Sequence, residues 1–213
     1  MYIDVGQALL GVAVAWGVGF GLGRYRRAIP ENPGEVAVRR VLMRAFPGPD
    51  THLLNHLTLP YQDGTTEIDH VLVARTGIFV IETKHYSGTI QGTTKAKTWT
   101  KVLGSATYAF QNPLLQNFKH EKAVEQILDE GTRDDVHGLV VMTGSARFQD
   151  TRPENVVDLA SLVPHIEQWQ EQVLSRQQVH LYVGRLECTR RQITRQIDVE
   201  HQAYLQRKFG ESR

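Results

Sequence analysis

The sequence predicts a mixed α/β domain preceded by one N-terminal transmembrane helix. Three observations lead there. Segments of helical and strand periodicity alternate in the order α-β-β-β-α-β, which argues for one mixed sheet with a helix on at least one face. The runs 67–73 and 78–84 flank Ala74-Arg75-Thr76-Gly77 and read as a β-hairpin with a tight connection. An apolar run, ALLGVAVAWGVGFGL at residues 8–22, stands ahead of everything else.

With Val5, Gly6 and Gln7, that first run approaches the ~20 residues needed to cross a hydrocarbon core. Arg24, Arg26 and Arg27 follow it, whereas only Asp4 precedes it, so the positive-inside rule puts the body in the cytoplasm. A cleaved signal peptide would carry its basic residues before the apolar run. The expectation is a single-pass protein of the inner or cytoplasmic membrane, with residues 1–23 as anchor and 24–33 as a basic linker. Gly17 and Gly21 give the span a small-xxx-small face suited to self-association, so a homo-oligomer is an expected partner state.

Helix signals begin at Pro33-Gly34-Glu35, and Val38, Val41, Leu42 and Ala45 recur at helical spacing until Pro47. Leu53, Asn55, Leu57 and Leu59 then lie on one side of a strand that stops at Pro60. After the hairpin, residues 88–92 and 98–102 read as short strands. A longer helix starts after Asn112-Pro113, with Leu114, Phe118, Ile127 and Leu128 inward. Residues 136–142 form an apolar run with the character of a buried strand. Residues 158–163 and 164–174 read as helical, and Val179, Leu181 and Val183 alternate like a strand. The domain is placed at 34–186, with a motif core at 34–145, and a charged helix at 187–213.

The chain has 213 residues, 41% of them hydrophobic and 22% charged, enough for one packed domain without staples. Its lone cysteine, Cys188, excludes an intrachain disulfide and has no neighbouring base to make it a nucleophile. A net charge of +1 excludes a polycation, so any nucleic-acid binding must come from a local basic patch. Arg39, Arg40, Arg44, Lys95, Lys97, Lys101 and Lys119 are its candidates, although scattered surface charge would read the same.

The hairpin carries the chemistry. Period-2 alternation puts Glu67, Asp69, Val71 and Val73 on one face, and Ile78, Val80, Glu82 and Lys84 on one face of the partner strand. If Val73 pairs with Ile78, Asp69 falls across from Glu82, and Glu67 across from Lys84. Facing carboxylates on an otherwise apolar strand pair repel each other, and a hard divalent cation such as Mg²⁺ or Mn²⁺ would remove that conflict. Two solvated carboxylates on an exposed face would explain the same residues, as would a Glu67–Lys84 ion pair for the lysine.

Glu35, the segments EIDHVLV (67–73) and GIFVIETK (77–84), and Asn112-Pro113-Leu114-Leu115-Gln116 occur in this order. Over residues 33–145 the chain resembles the nuclease-related domain (NERD) family of the PD-(D/E)xK superfamily. The resemblance implies a restriction-endonuclease-like sheet flanked by helices. It implies that Asp69 and Glu82 are metal ligands for Mg²⁺ or Mn²⁺, and that Lys84 is the catalytic lysine. It also implies that Glu35 is an acid on the first helix and that Gln116 is the glutamine of the family's NPxxQ segment. From the residues alone, Glu35 would equally complement a helix N-terminus or pair with Arg39, and Gln116 with His120 would equally be exposed polar groups. The expected function is metal-dependent hydrolysis of nucleic-acid phosphodiesters, with DNA favoured as substrate, at the membrane. The alternative is an inactive membrane-tethered module of the same fold that binds nucleic acid or protein.

Overall fold

A computed structural model describes residues 32–128 and 134–190. The expected anchor at 1–23, all of the linker except Asn32 and Pro33, and the charged segment beyond 190 lie outside the described residues. Among the described residues no helix is long and apolar enough to cross a membrane.

The first helix, α1 (Pro33–Ala45), begins as its sequence demands: the Asn32 side chain accepts from the Gly34 amide, and Pro33 supplies a preset φ in the first turn. Its buried residues include Val38 and Leu42, one turn apart. Then β1 (Thr51–Tyr61), β2 (Gly64–Ala74) and β3 (Gly77–Lys84) make an antiparallel meander, with Val73 opposite Ile78 as expected. Gly77 is required at the hairpin turn, where φ is +142°. Strand β3 also pairs in parallel with β7 (Val136–Met142), which in turn pairs with β9 (Val156–Asp158). The five-stranded sheet therefore has the order β1-β2-β3-β7-β9 and is mixed.

Both faces of this sheet are covered, and β3 is buried along all but its last residue, which is why it reads as a nearly unbroken apolar run. Ile78 and Val80 face a core shared with helices α2 (Pro113–Ile127) and α4 (Arg176–Thr189). Phe79 and Ile81 face a second core, shared with α1 and the short α3 (Leu162–Ile166). Gly138 of β7 faces α2, where the Glu121 and Asn117 side chains lie against its backbone. A second, four-stranded sheet has the order β6-β5-β4-β8. It consists of β4 (Thr89–Gln91), β5 (Thr98–Leu103), β6 (Ala106–Gln111) and β8 (Arg147–Phe148). It packs Trp99 and Ile90 against Val140, Met142 and Val156 of the first sheet.

Several expectations are corrected. Residues 176–189 are a helix: Ser175 and Gln178 form a capping box, and Val179, Tyr182 and Leu186 are buried at helical spacing, so the Val179–Leu181–Val183 alternation is incidental. Helix α4 also continues past the expected boundary at 186. Of residues 158–174 only α3 is α-helical, because Val156 and Val157 complete the sheet and the Asp158 carboxylate accepts from the Ser161 amide in a turn. Strand β1 passes through Pro60, which an edge strand tolerates. Phe118 points outward, 51% exposed, since the inner face of α2 holds the polar side chains of Asn117 and His120 beside Ala123 and Val124.

Leu53 and Leu57 lie on opposite faces rather than together. Leu53 packs on the α1 side, whereas Leu54, Leu57 and Leu59 share the α2–α4 core. The cause is His56, whose φ of +51° is left-handed and reverses the alternation.

Candidate active site

His56 lies opposite Asp69, and both ladders of β2 break at that level. The β1–β2 register passes from Asn55↔His70 to Leu57↔Ile68, and the β2–β3 register ends at His70↔Ile81. The Asp69 side chain fills the gap: its Oδ2 accepts from the Thr83 amide at 2.7 Å. A carboxylate is thereby turned alongside β3, next to Glu82.

Glu82 is 3% exposed and held from both sides. Its Oε1 accepts from the Lys84 ammonium, and its Oε2 lies 3.3 Å from Nε2 of His120. Lys84 also donates to Oε1 of Gln116 at 3.0 Å, and Nδ1 of His120 lies 3.0 Å from the Thr66 hydroxyl. Lys84 was expected opposite Glu67. Instead Glu67 is exposed and sits in register with Thr58, because the β2–β3 ladder stops before reaching it. Glu35 stands at the margin, its Oε2 3.6 Å from Nδ1 of His56, coupled to Asp69 and Glu82 through charge rather than contact.

Two asparagines fix this geometry. Asn117 is 1% exposed and donates to the Val80 carbonyl at 2.9 Å and the Leu139 carbonyl at 3.1 Å, pinning α2 across β3 and β7. Gln116 and His120, on either side of it in sequence, are thus held against the ends of those strands. Asn112 caps α2, accepting from the Leu114 amide at 2.9 Å. Its amide group donates to the Thr93, Thr94 and Ala96 carbonyls at 3.3, 3.1 and 2.7 Å.

Burial, then the neighbouring Glu82 charge, pushes the Asp69 carboxyl up to about 8, against the opposing hydrogen bond from Thr83. Burial also acts upward on Glu82, yet the hydrogen bonds and charges of His120 and Lys84 outweigh it and hold Glu82 below its ordinary value. Lys84 is raised: Glu82 overcomes the burial that disfavours its charge. The neighbouring carboxyls are thus pushed in opposite directions, Asp69 towards its neutral form and Glu82 towards its charged form beside the Lys84 ammonium. Glu35 is raised chiefly by burial, against the lowering effect of His56.

The nuclease-related domain family matches residues 30–143. This chain belongs to that family. An uncharacterized protein of Bacillus anthracis is 42% identical over 98 residues, which make up 46% of each chain, so this chain spans under half the length of that curated relative. No solved structure matches.

Within the nuclease-related domain, Asp69, Glu82, Lys84 and Gln116 converge, and Glu35 approaches through His56. His56, Thr66 and Asn117 stand at the site without a motif to mark them, although the three-residue spacing of Leu54 and Leu57 signals the irregularity at His56. His120, four residues after Gln116 on the same helix face, is not an exposed polar group: it is 3% exposed and lies against Glu82 and Thr66.

The donor chemistry suits a divalent cation in part. Asp69 and Glu82 are hard oxygen donors whose mutual repulsion a cation would relieve, and Oδ1 of Asp69 meets no donor among the described residues. The Lys84 ammonium occupies one Glu82 oxygen and His120 stands 3.3 Å from the other, and among the described residues no three His, Cys, Asp or Glu side chains form a ready cluster. A cation held by Asp69 and Glu82 would leave its remaining positions to water or phosphate.

Proposed function

We propose that this nuclease-related domain hydrolyses nucleic-acid phosphodiester bonds, DNA foremost, with Mg²⁺ or Mn²⁺ held by Asp69 and Glu82. The observation that carries the reading is the convergence of the Asp69 and Glu82 carboxyls on the end of β3, beside a Lys84 ammonium held by Glu82 and Gln116. When bound, the cation supplies charge to the scissile phosphate and acidity to a water. Lys84, oriented by Gln116 and Glu82, places positive charge where the phosphorane-like transition state becomes more negative. His120, fixed by Thr66, keeps Glu82 ionised and in place. Glu35, with His56, sits where it can hold a proton at the margin of the site. Residues 8–22 and the arginines after them support tethering to a cytoplasmic membrane through residues 1–23.

The test uses the purified full chain with single- and double-stranded DNA and RNA, in Mg²⁺, Mn²⁺ or chelator. Cleavage is expected only with the cations, and Asp69→Asn and Glu82→Gln should lower it by roughly 10²–10³-fold or more. Equal cleavage by wild type and both variants overturns the reading. Deleting residues 1–23 should move the protein from the membrane to the soluble fraction; an unchanged distribution overturns the tether.

A second reading follows from the close approach of Lys84 and His120 to the two Glu82 oxygens, which favours a catalytically silent domain that binds nucleic acid without cutting it. Binding that persists in chelator, with no product under any cation, would select it.

A further inference from the structure

No aspartate or glutamate occurs between Lys84 and Glu121, although the chain contains 23 acidic residues. The acid-free stretch includes β4, β5 and β6, three of the four strands of the second sheet. It is inserted between the two elements that carry the site, β3 with Glu82 and Lys84, and α2 with Gln116 and His120.

Its exposed features are of two kinds. Lys95 and Lys97 are exposed and have no ion pair among the described residues. Their loop is clamped by Asn112, the same side chain that caps α2, so these two charges keep a fixed relation to Gln116. On the β5–β6 hairpin, Lys101 faces Tyr108 in register, and its ammonium lies 4.7 Å from the Tyr86 ring centroid and 5.3 Å from that of Tyr108. Tyr86 comes two residues after Lys84 and packs edge-on to Phe110 at 5.0 Å, whereas Tyr108 is 52% exposed. The Lys101 ammonium thus stands between the Tyr86 and Tyr108 rings, and Tyr86 lies two residues from Lys84.

We infer that the second sheet is the substrate-binding surface for a single-stranded nucleic-acid segment, with an unpaired base stacked on Tyr108 and backbone phosphates met by Lys95, Lys97 and Lys101. An exposed ring beside the Lys101 ammonium, on strands that carry no carboxylate, offers the stacking face and the phosphate neutralisation that single strands require. A duplex keeps its bases stacked on each other and has no use for the ring. This assignment deepens the nuclease reading by naming the substrate's form and path.

The experiment is fluorescence anisotropy of the full chain with fluorescein-labelled oligo(dT), and with a labelled duplex of equal length, in chelator. Cleavage plays no part in the readout, so the result stands whether or not Asp69 and Glu82 hydrolyse anything. Tyr108→Ala should weaken oligo(dT) binding roughly tenfold, with a smaller effect on the duplex, and Tyr108→Phe should bind as wild type. Replacing Lys95 and Lys97 together by alanine should weaken binding and flatten the dependence of log affinity on log salt by about 0.7 per lysine. Thermal melts of each variant verify folding. Wild-type affinity in Tyr108→Ala, or equal losses on duplex and single strand, overturns the proposal.

Discussion

The two sheets treat charge in opposite ways. In the five-stranded sheet, Glu82 is 3% exposed and each of its oxygens has a cationic or imidazole neighbour; in the β4–β5 loop of the four-stranded sheet, Lys95 and Lys97 are exposed without an ion pair among the described residues. Burial makes charge expensive unless it is compensated, and it makes pKa values responsive to neighbours. Exposure makes charge cheap, screened and available to a partner. One region therefore sets the protonation states of its carboxyls, and the other leaves its charges open to solvent. The lysines of this protein accordingly do not form one patch.

Removing one lysine from each region gives the largest contrast. Lys84→Met leaves two buried carboxyls without their cation, so unfolding by urea at pH 8 should show a loss of about 3 kcal/mol or more. The sign with pH follows from Glu82. Without Lys84 its folded pKa rises, so the variant should regain stability as pH falls from 8 towards 5. Lys95→Met should stay within about 0.5 kcal/mol at every pH. Similar losses in the two variants would break the comparison.

Asn112 is the joint between the sheets, and its loss should come next. Asn112→Ala removes the α2 cap and the amide that donates to the Thr94 and Ala96 carbonyls, while the Thr93 carbonyl still accepts from the Trp99 indole, for an expected cost of about 2–3 kcal/mol in urea unfolding. Asn112→Asp keeps the capping oxygen but not the amide donors. It should recover little, and full recovery would mean that only the cap matters.

How much of this was legible depended on whether local rules and tertiary needs agreed. The Val73↔Ile78 register followed from turn length, and with it came the approach of Asp69 to Glu82. The partner of Lys84 did not follow, because extrapolating the ladder to Glu67 assumed regular pairing through a position where His56 has a left-handed backbone. Strand β6 went unseen because its exposed pattern shows no apolar alternation. Helix α4 was hidden by three chance alternating residues, even though its capping box, Ser175 and Gln178, stood in the sequence. The role of Asn112 beyond a helix start depends on carbonyls up to nineteen positions away, which no local pattern encodes.

Glu121 tests whether burial without full compensation behaves as the first sheet requires. Burial, reinforced by Glu125, raises its carboxyl to about 7 from 4.5, and the neighbouring Lys122 is drawn to Glu125 at 2.7 Å. A raised folded pKa means that the folded state holds a proton that the unfolded state releases. Its stabilising share is present below pH 4.5 and is lost as pH rises to about 7. Glu121→Gln should match wild type at low pH and exceed it by about 1–2 kcal/mol at pH 8. A constant difference across that range would show that Glu121 is not held protonated.

Tyr108 should give the smallest effect on stability and the sharpest check on the second sheet. Half of its surface already faces solvent, and its contact with Lys101 is an exposed cation–π pair, so truncation removes little buried area. Tyr108→Ala should therefore cost no more than about 0.5–1 kcal/mol in urea unfolding, while its effect on oligo(dT) is several times larger in affinity. The two measurements must diverge for the comparison to hold. If Tyr108→Ala lost as much stability as a core aromatic, the ring would be part of the packing that holds β5 to β6. The second sheet would then be a structural brace, and its lysines ordinary surface charge.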